Sequence, residues 1–402
     1  MDCRNGRLGG SPVCNGIVCI VWRRASTASA STACALIIMD RNLTSPVTDA
    51  LQTKCDACGA YTQYSPAEEN LKCAYCGHVT VLDKSAVEIK ENDFAYWKDR
   101  ADTSAEEMIE ATEIKCRQCG ANTTLPPNVS AAKCAFCGTP LIMNEASVKR
   151  FWQPEYMLPF KVTDKTCAAS FKNWLAGKWL APSKLKKSAV QTDSFKGVYM
   201  PFWTYDAATS TDYRGERGVG RRERFRNRSG AIEERTVMDW FAKNGTVNLN
   251  FDDVLVPASK TLPAAISNAL TNWDLMNCVA YRKEFLAGFI TEIYQLDFRA
   301  AIDDAKRQMD NYIVNEIYSD IGGDQQRIHS KTTQYNDLKF KLLLLPVWIS
   351  AFRFKDKVYR FVVNGRTGQV TGSYPISAAK VTLIVLAIIV LIGFLYFWGT
   401  GG

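Results

Sequence analysis

Histidine is nearly missing from this chain. Only His78 and His329 occur in 402 residues, so no nucleophile–base pair can be named from spacing. The G-x-x-x-x-G-K-[ST] string that cradles ATP phosphates is missing as well. Gly322-Gly323 is followed by Asp-Gln-Gln, and Gly177-Lys178 lacks both the first glycine and a following Ser or Thr. Long uncharged apolar runs are scarce: there is one, close to the C-terminus, which excludes a multi-span membrane protein. The 25 glycines show no triplet period, which excludes collagen, and 47% apolar with 22% charged residues excludes a wholly disordered chain. The length allows two or three folded units and one sizeable core. Cysteine, by contrast, is abundant, with 14 in a chain of net charge +8.

Eight cysteines form two clusters, Cys55, Cys58, Cys73, Cys76 and Cys116, Cys119, Cys134, Cys137. Each reads C-x2-C-x14-C-x2-C, and the second follows the first at a constant offset of 61. Neighbours repeat with them: Lys54 with Lys115, Gly59 with Gly120, Tyr75 with Phe136, Gly77 with Gly138. This is an internal duplication of a small unit. A C-x-x-C turn lets two thiolates converge on one ion, and the glycine after it permits the backbone reversal beneath the metal. Four thiolates per unit select Zn²⁺, two ions per chain, with all positions filled and hence a structural role; iron remains open as the metal. Cystine pairs are the competing reading and need an oxidising compartment. His78 follows a complete quartet and is expected at the surface or behind the ligands. Expected zinc ribbons span residues 51–82 and 113–145, joined by a helical linker, 83–112.

Val381–Trp398 reads VTLIVLAIIVLIGFLYFW, about 27 Å as a helix, and a single transmembrane helix is expected over 380–399. Lys380, Arg366, Arg360, Lys357, Lys355 and Arg353 precede it and no charge follows. That asymmetry places the bulk of the chain on the cytoplasmic side of the inner membrane, in keeping with reduced cysteines. Residues 1–50, with Cys3, Cys14, Cys19 and Cys34, read as disordered or as an extension from a start codon placed too far upstream.

The middle, 150–375, reads as one α+β domain: an antiparallel sheet with helices on one side. Helices are expected from Thr163 or Asp164, with Phe171, Trp174, Leu175 and Trp179 on one core stripe, over about 263–275, and over about 297–321, ending at Gly322-Gly323. VYMPFWTYDA (198–207) and LLLLPVWISAFRF (342–354) share an apolar-Pro-apolar-Trp core and read as strands in a weak second duplication. Asn364-Gly365 and Thr367-Gly368 supply hairpin turns. The Arg-rich hairpin 214–228 contains Arg222, Arg224, Arg226 and Arg228, whose alternation would put four guanidinium groups on one face of a strand. Such a ladder suits phosphates of nucleic acid or of lipid, or is a solvated hairpin relieved by Glu216, Glu223, Glu233 and Glu234. Cys167 and Cys278 read as buried thiols.

The order of two cysteine units, MLPFKV (157–162), GVYMPFWTYDA (197–207), FDDVLVPASKTLP (251–263), GGDQQRIHS (322–330), LPVWISAFRFKDKVYRFVVNGRTGQVTG (345–372) and a C-terminal span resembles the bacterial zinc-ribbon membrane proteins. These carry inherited names such as "TFIIB-type zinc ribbon-containing protein" or "primosomal protein N′ (replication factor Y), superfamily II helicase". The resemblance covers about 39–400 and implies a bacterial, zinc-binding, membrane-anchored protein. The missing phosphate loop argues against the helicase part of that name.

Residues 51–80 hold two lysines against three carboxylates, so a four-thiolate zinc site leaves them clearly negative; residues 111–140 come out neutral. Phosphate binding wants a positive surface, so the units are expected to contact protein. The chain is therefore read as a non-enzymatic adaptor or scaffold, anchored through residues 381–398, with an unidentified protein partner. The alternative is a nucleic-acid-binding factor, replication- or transcription-associated, that uses the arginine hairpin.

Overall fold

The computed structural model describes residues 53–84, 89–100, 108–124, 131–142, 147–182, 195–226, 228–354 and 357–400, plus the paired two-residue strands Val13–Cys14 and Ile17–Val18. The rest of the expected extension 1–50 lies outside the described residues. Ser45–Gly402 forms one compact unit, so the boundary expected near 150 falls inside it.

The fold is α+β, built on a twelve-stranded mixed sheet. Among the described residues of the expected helical linker 83–112, only Phe94–Lys98 (α1) is helical, and Met108–Lys115 is instead a strand (β1) that pairs with Ser147–Trp152 and with Asn122–Thr124 (β2). Helix propensity in MIEATEIK yields here to cross-strand pairing. The helix Asp164–Ala176 (α2) is capped by Thr163, whose hydroxyl accepts from Thr166 N. Two long strands follow, Lys196–Arg226 (β3) and Ile232–Pro257 (β4). The helix expected over 263–275 shrinks to Ala264–Ser267 (α3). Strand Ile290–Glu292 (β5) precedes the 24-residue helix Phe298–Ile321 (α4), capped by Asp297 and ended by Gly322 at φ 65°. Gln325–Phe354 (β6) and Lys357–Asn364 (β7) complete the sheet's main strands, and Ala378–Thr400 is the last helix (α5).

β3 lies between β4 and β6, antiparallel to both. The expected antiparallel sheet is nonetheless mixed: β3 also pairs parallel with β5, and Tyr156–Met157 runs parallel to β6. The two Pro–Trp segments of the suspected duplication are neighbours, with Tyr199 opposite Pro346 and Trp203 opposite Leu342.

Alternation in these strands builds two separate cores. Tyr199, Leu344, Trp348, Phe361 and Val363 face one side, where α2 and the first cysteine unit pack through Phe171, Leu175, Tyr64 and Leu71. Further along that face, Trp203, Tyr205 and Phe340 meet α4 through Phe298, Ile302 and Met309. Val198, Met200, Phe202, Leu343, Leu345, Val347 and Val362 face the other side, where the second cysteine unit packs through Ile114, Phe136 and Leu141. The duplicated units thus cover opposite faces of one sheet. Trp179 departs from its expected core stripe: the helix ends at Ala176, and Trp179 lies exposed beyond it.

Candidate metal centres

The four C-x-x-C turns share one backbone form. Gly59, Gly77, Gly120 and Gly138 take φ of 71°, 74°, 76° and 75°, a region that favours glycine. In each turn the glycine N–H donates to the carbonyl of the first cysteine, at 2.8–3.0 Å. The first cysteine's N–H then closes the loop onto Ala60, His78, Ala121 or Thr139. Local sequence therefore fixes four equivalent knuckles, and hairpins bring them together in pairs.

The pairing is tight. Cys55–Cys76, Cys58–Cys73, Cys116–Cys137 and Cys119–Cys134 Sγ atoms stand 3.6 Å apart, and all four sulfurs of each quartet lie within 4.8 Å of one another. Sulfurs at ~2.3 Å from a shared tetrahedral ion would be about 3.8 Å apart, whereas a cystine requires ~2.05 Å. Every cysteine in the two quartets is free. The donor set therefore fits a metal ion in each quartet and does not fit disulfides.

Electrostatics leads to the same requirement. Cys73 is lowered to about 6, first by the Cys76 backbone N–H, while Cys58 rises to about 12, where its thiol contacts and burial outweigh the Ala60 N–H. In the second quartet Cys119 falls to about 5, first through its bond with Cys134, while Cys134 rises for the same reason and Cys116 rises with burial. Four thiolates this close cannot ionise together without a cation.

The two units are held differently. Phe136 is fully buried in the second core and its carbonyl accepts from Arg360 Nε at 3.0 Å; Gln295 Nε2 donates to Gly120 O at 3.1 Å. β2 leaves its own hairpin to pair with β1 and β5. The first unit keeps a three-stranded sheet of its own and is pinned by Tyr64, whose hydroxyl donates to Phe160 O at 3.0 Å. His78 is exposed, as expected of a residue outside the ligand set.

The arginine ladder is shorter than expected. Arg222, Arg224 and Arg226 alternate along one exposed face of β3, but the strand ends there and Arg228 lies in the turn. Arg224 Nε pairs with Glu234 at 2.7 Å, and Glu223 with Arg235 at 2.8 Å.

Sequence reasoning missed a third cluster. Glu91, Asp206 and Asp252 converge from three distant segments. Lys341, 3% exposed, places Nζ 3.0 Å from Glu91 Oε1 and 2.6 Å from Asp253 Oδ1, so an ammonium already supplies the positive charge there. No period or motif links these positions, so no sequence signal could have found them.

A stretch of 229 residues is 25% identical to the uncharacterized protein YdjG of Bacillus subtilis (strain 168), covering 57% of this chain. The chain spans 65% of that relative's length. No family model and no solved structure matches.

Proposed function

We propose that this chain is a membrane-anchored, zinc-binding adaptor, its two cysteine units acting as structural zinc ribbons and the first offering a docking surface to a protein partner on the cytoplasmic face. One comparison carries the reading. Tyr75 and Phe136 occupy equivalent positions of the duplicated unit. Phe136 is 0% exposed, inserted in the sheet, whereas Tyr75 is 86% exposed, with Tyr61 and Val81 also exposed on the same unit. The second unit uses its aromatic knuckle to dock within the chain; the first presents the same element outward. Exposed aromatics of this kind are what protein interfaces recruit. Both quartets are closed, which suits scaffolding and leaves no ligand position for a substrate. α5 has the length and composition to cross a membrane, and its membrane-length stretch is unburied. A photo-crosslinking amino acid at Tyr75, in the full chain in native membranes, should give one discrete adduct. Adducts of equal strength from an exposed α4 position such as Asn315, or none from position 75, would remove the docking claim.

The nucleic-acid alternative rests on the exposed face holding Arg222, Arg224 and Arg226, which continues along the strand pair to Trp240, opposite Gly218; Arg327 stacks over the Trp240 ring at 3.6 Å. Cation and aromatic together suit single strands. The ion pair between Arg224 and Glu234 weakens it. Salt-sensitive binding that disappears on replacing Arg222, Arg224 and Arg226 with alanine would favour this alternative.

A further inference from the structure

The loop after α2 is tied to the first turn of α5. Lys380 Nζ donates to Trp179 O at 2.7 Å and to Ala181 O at 2.8 Å, and Ser377 N donates to Leu180 O at 2.9 Å. Lys380 directly precedes the apolar run that begins at Val381, so this loop stands level with the start of the span. Trp179 is 62% exposed there and Ile376 60%. An exposed tryptophan beside an exposed isoleucine has no role inside this fold, since neither belongs to a core cluster. Lys178 Nζ lies 4.9 Å from the Trp174 ring centre and 5.8 Å from that of Tyr374, completing an aromatic and basic collar at the root of α5.

The charge of this collar is mainly positive. Residues 164–182 carry Lys165, Lys172 and Lys178 against Asp164 alone, and Lys380 stands at the root of α5, whereas Arg366 is paired with Asp274 and Arg360 with the carbonyl of Phe136. Lys165 and Lys172 are exposed on α2. Tryptophan prefers the headgroup level of a bilayer, and lysines near an anionic leaflet contribute about 1 kcal/mol each, roughly a five-fold shift per charge.

We infer that Trp179, Lys178 and Ile376 form a foot that rests in the headgroup layer and binds anionic phospholipid phosphates, fixing the folded unit against the membrane that α5 crosses. This inference rests on α5 spanning a bilayer. Trp179 is the apolar wedge, Lys178 the phosphate contact, and the Lys380 bonds keep the loop at that depth.

The test reconstitutes the full chain in nanodiscs of phosphatidylcholine, with or without phosphatidylglycerol, using acyl chains brominated near the headgroup as quenchers. The Trp179 signal is the difference between the parent and Trp179→Phe; the Trp398→Phe difference reports on the span. Trp179 emission should be quenched, more strongly with phosphatidylglycerol. Lys178→Glu should abolish that lipid-dependent increment while Lys178→Arg retains it. If Trp398 is quenched and Trp179 is not, the foot is refuted while the span stands; if the chain fails to enter nanodiscs, both fall.

Discussion

Replacing Lys341 with methionine probes the buried charge cluster most sharply. Its ammonium, almost sealed from solvent, bridges Glu91 and Asp253, and Lys339 reaches the second Glu91 oxygen at 3.4 Å. Asp206 accepts from Asp253 N at 2.7 Å and shares a hydrogen bond with Glu91. Removing one partner of a buried ion pair costs about 3–5 kcal/mol because the remaining charges lose their compensation. At roughly 2 °C per kcal/mol for a chain of this size, the melting temperature should fall by about 6–10 °C.

The pH dependence adds a second handle. Asp206 is pushed up to about 7, first by burial, while Glu91 is held at about 2, first by the Asp206 hydrogen bond. A raised carboxyl binds more protons folded than unfolded, so Asp206 contributes stability at low pH that is lost as pH rises from about 4 to 7. Glu91, lowered, contributes above about 4.5 and loses that as pH falls towards 2. Without the ammonium both carboxyls shift upward, so Lys341→Met should be more destabilising at pH 8 than at pH 5. Thermal unfolding of parent and variant at both values measures this. A loss below about 1 kcal/mol, or one equal at both pH values, would refute the reasoning.

Three further outcomes follow from the packing. Cys134→Ser should leave one ion per chain and lower the melting temperature more than Cys58→Ser, because only the second unit is woven into the main sheet; metal analysis beside calorimetry checks both parts. Phe340→Ala should cost about 3–5 kcal/mol by denaturant unfolding, since its ring stacks on Phe298 at 4.2 Å and contacts Trp203 and Phe94. Ending the chain after Ser377 removes α5 and should move the protein from the carbonate-resistant membrane fraction to the soluble one.

Features set by local chemistry were legible in the sequence. The cysteine quartets follow from C-x-x-C spacing and the glycine behind each pair, and α4 from its helical period between Asp297 and Gly322. Features set by distant pairing were not. Met108–Lys115 has helix-forming residues but finds strand partners on both sides. The placement of duplicated units on opposite faces depends on alternation in β3 and β6, strands far away in sequence. Trp179 shares its spacing with the core stripe of α2, yet the helix stops at Ala176 and leaves it outside. The arginine ladder is legible as a strand, but its end at Arg226 is not, because nothing in RFRNRS marks the turn more strongly than the alternation marks the strand.

Absorption spectroscopy and metal analysis on full-length protein purified without chelator test the central claim most directly. Two ions per chain, each with four sulfurs at about 2.3 Å in the X-ray absorption spectrum, is the expected result. Protein that folds with fewer than two ions, or with its eight clustered cysteines oxidised to cystines, would contradict it.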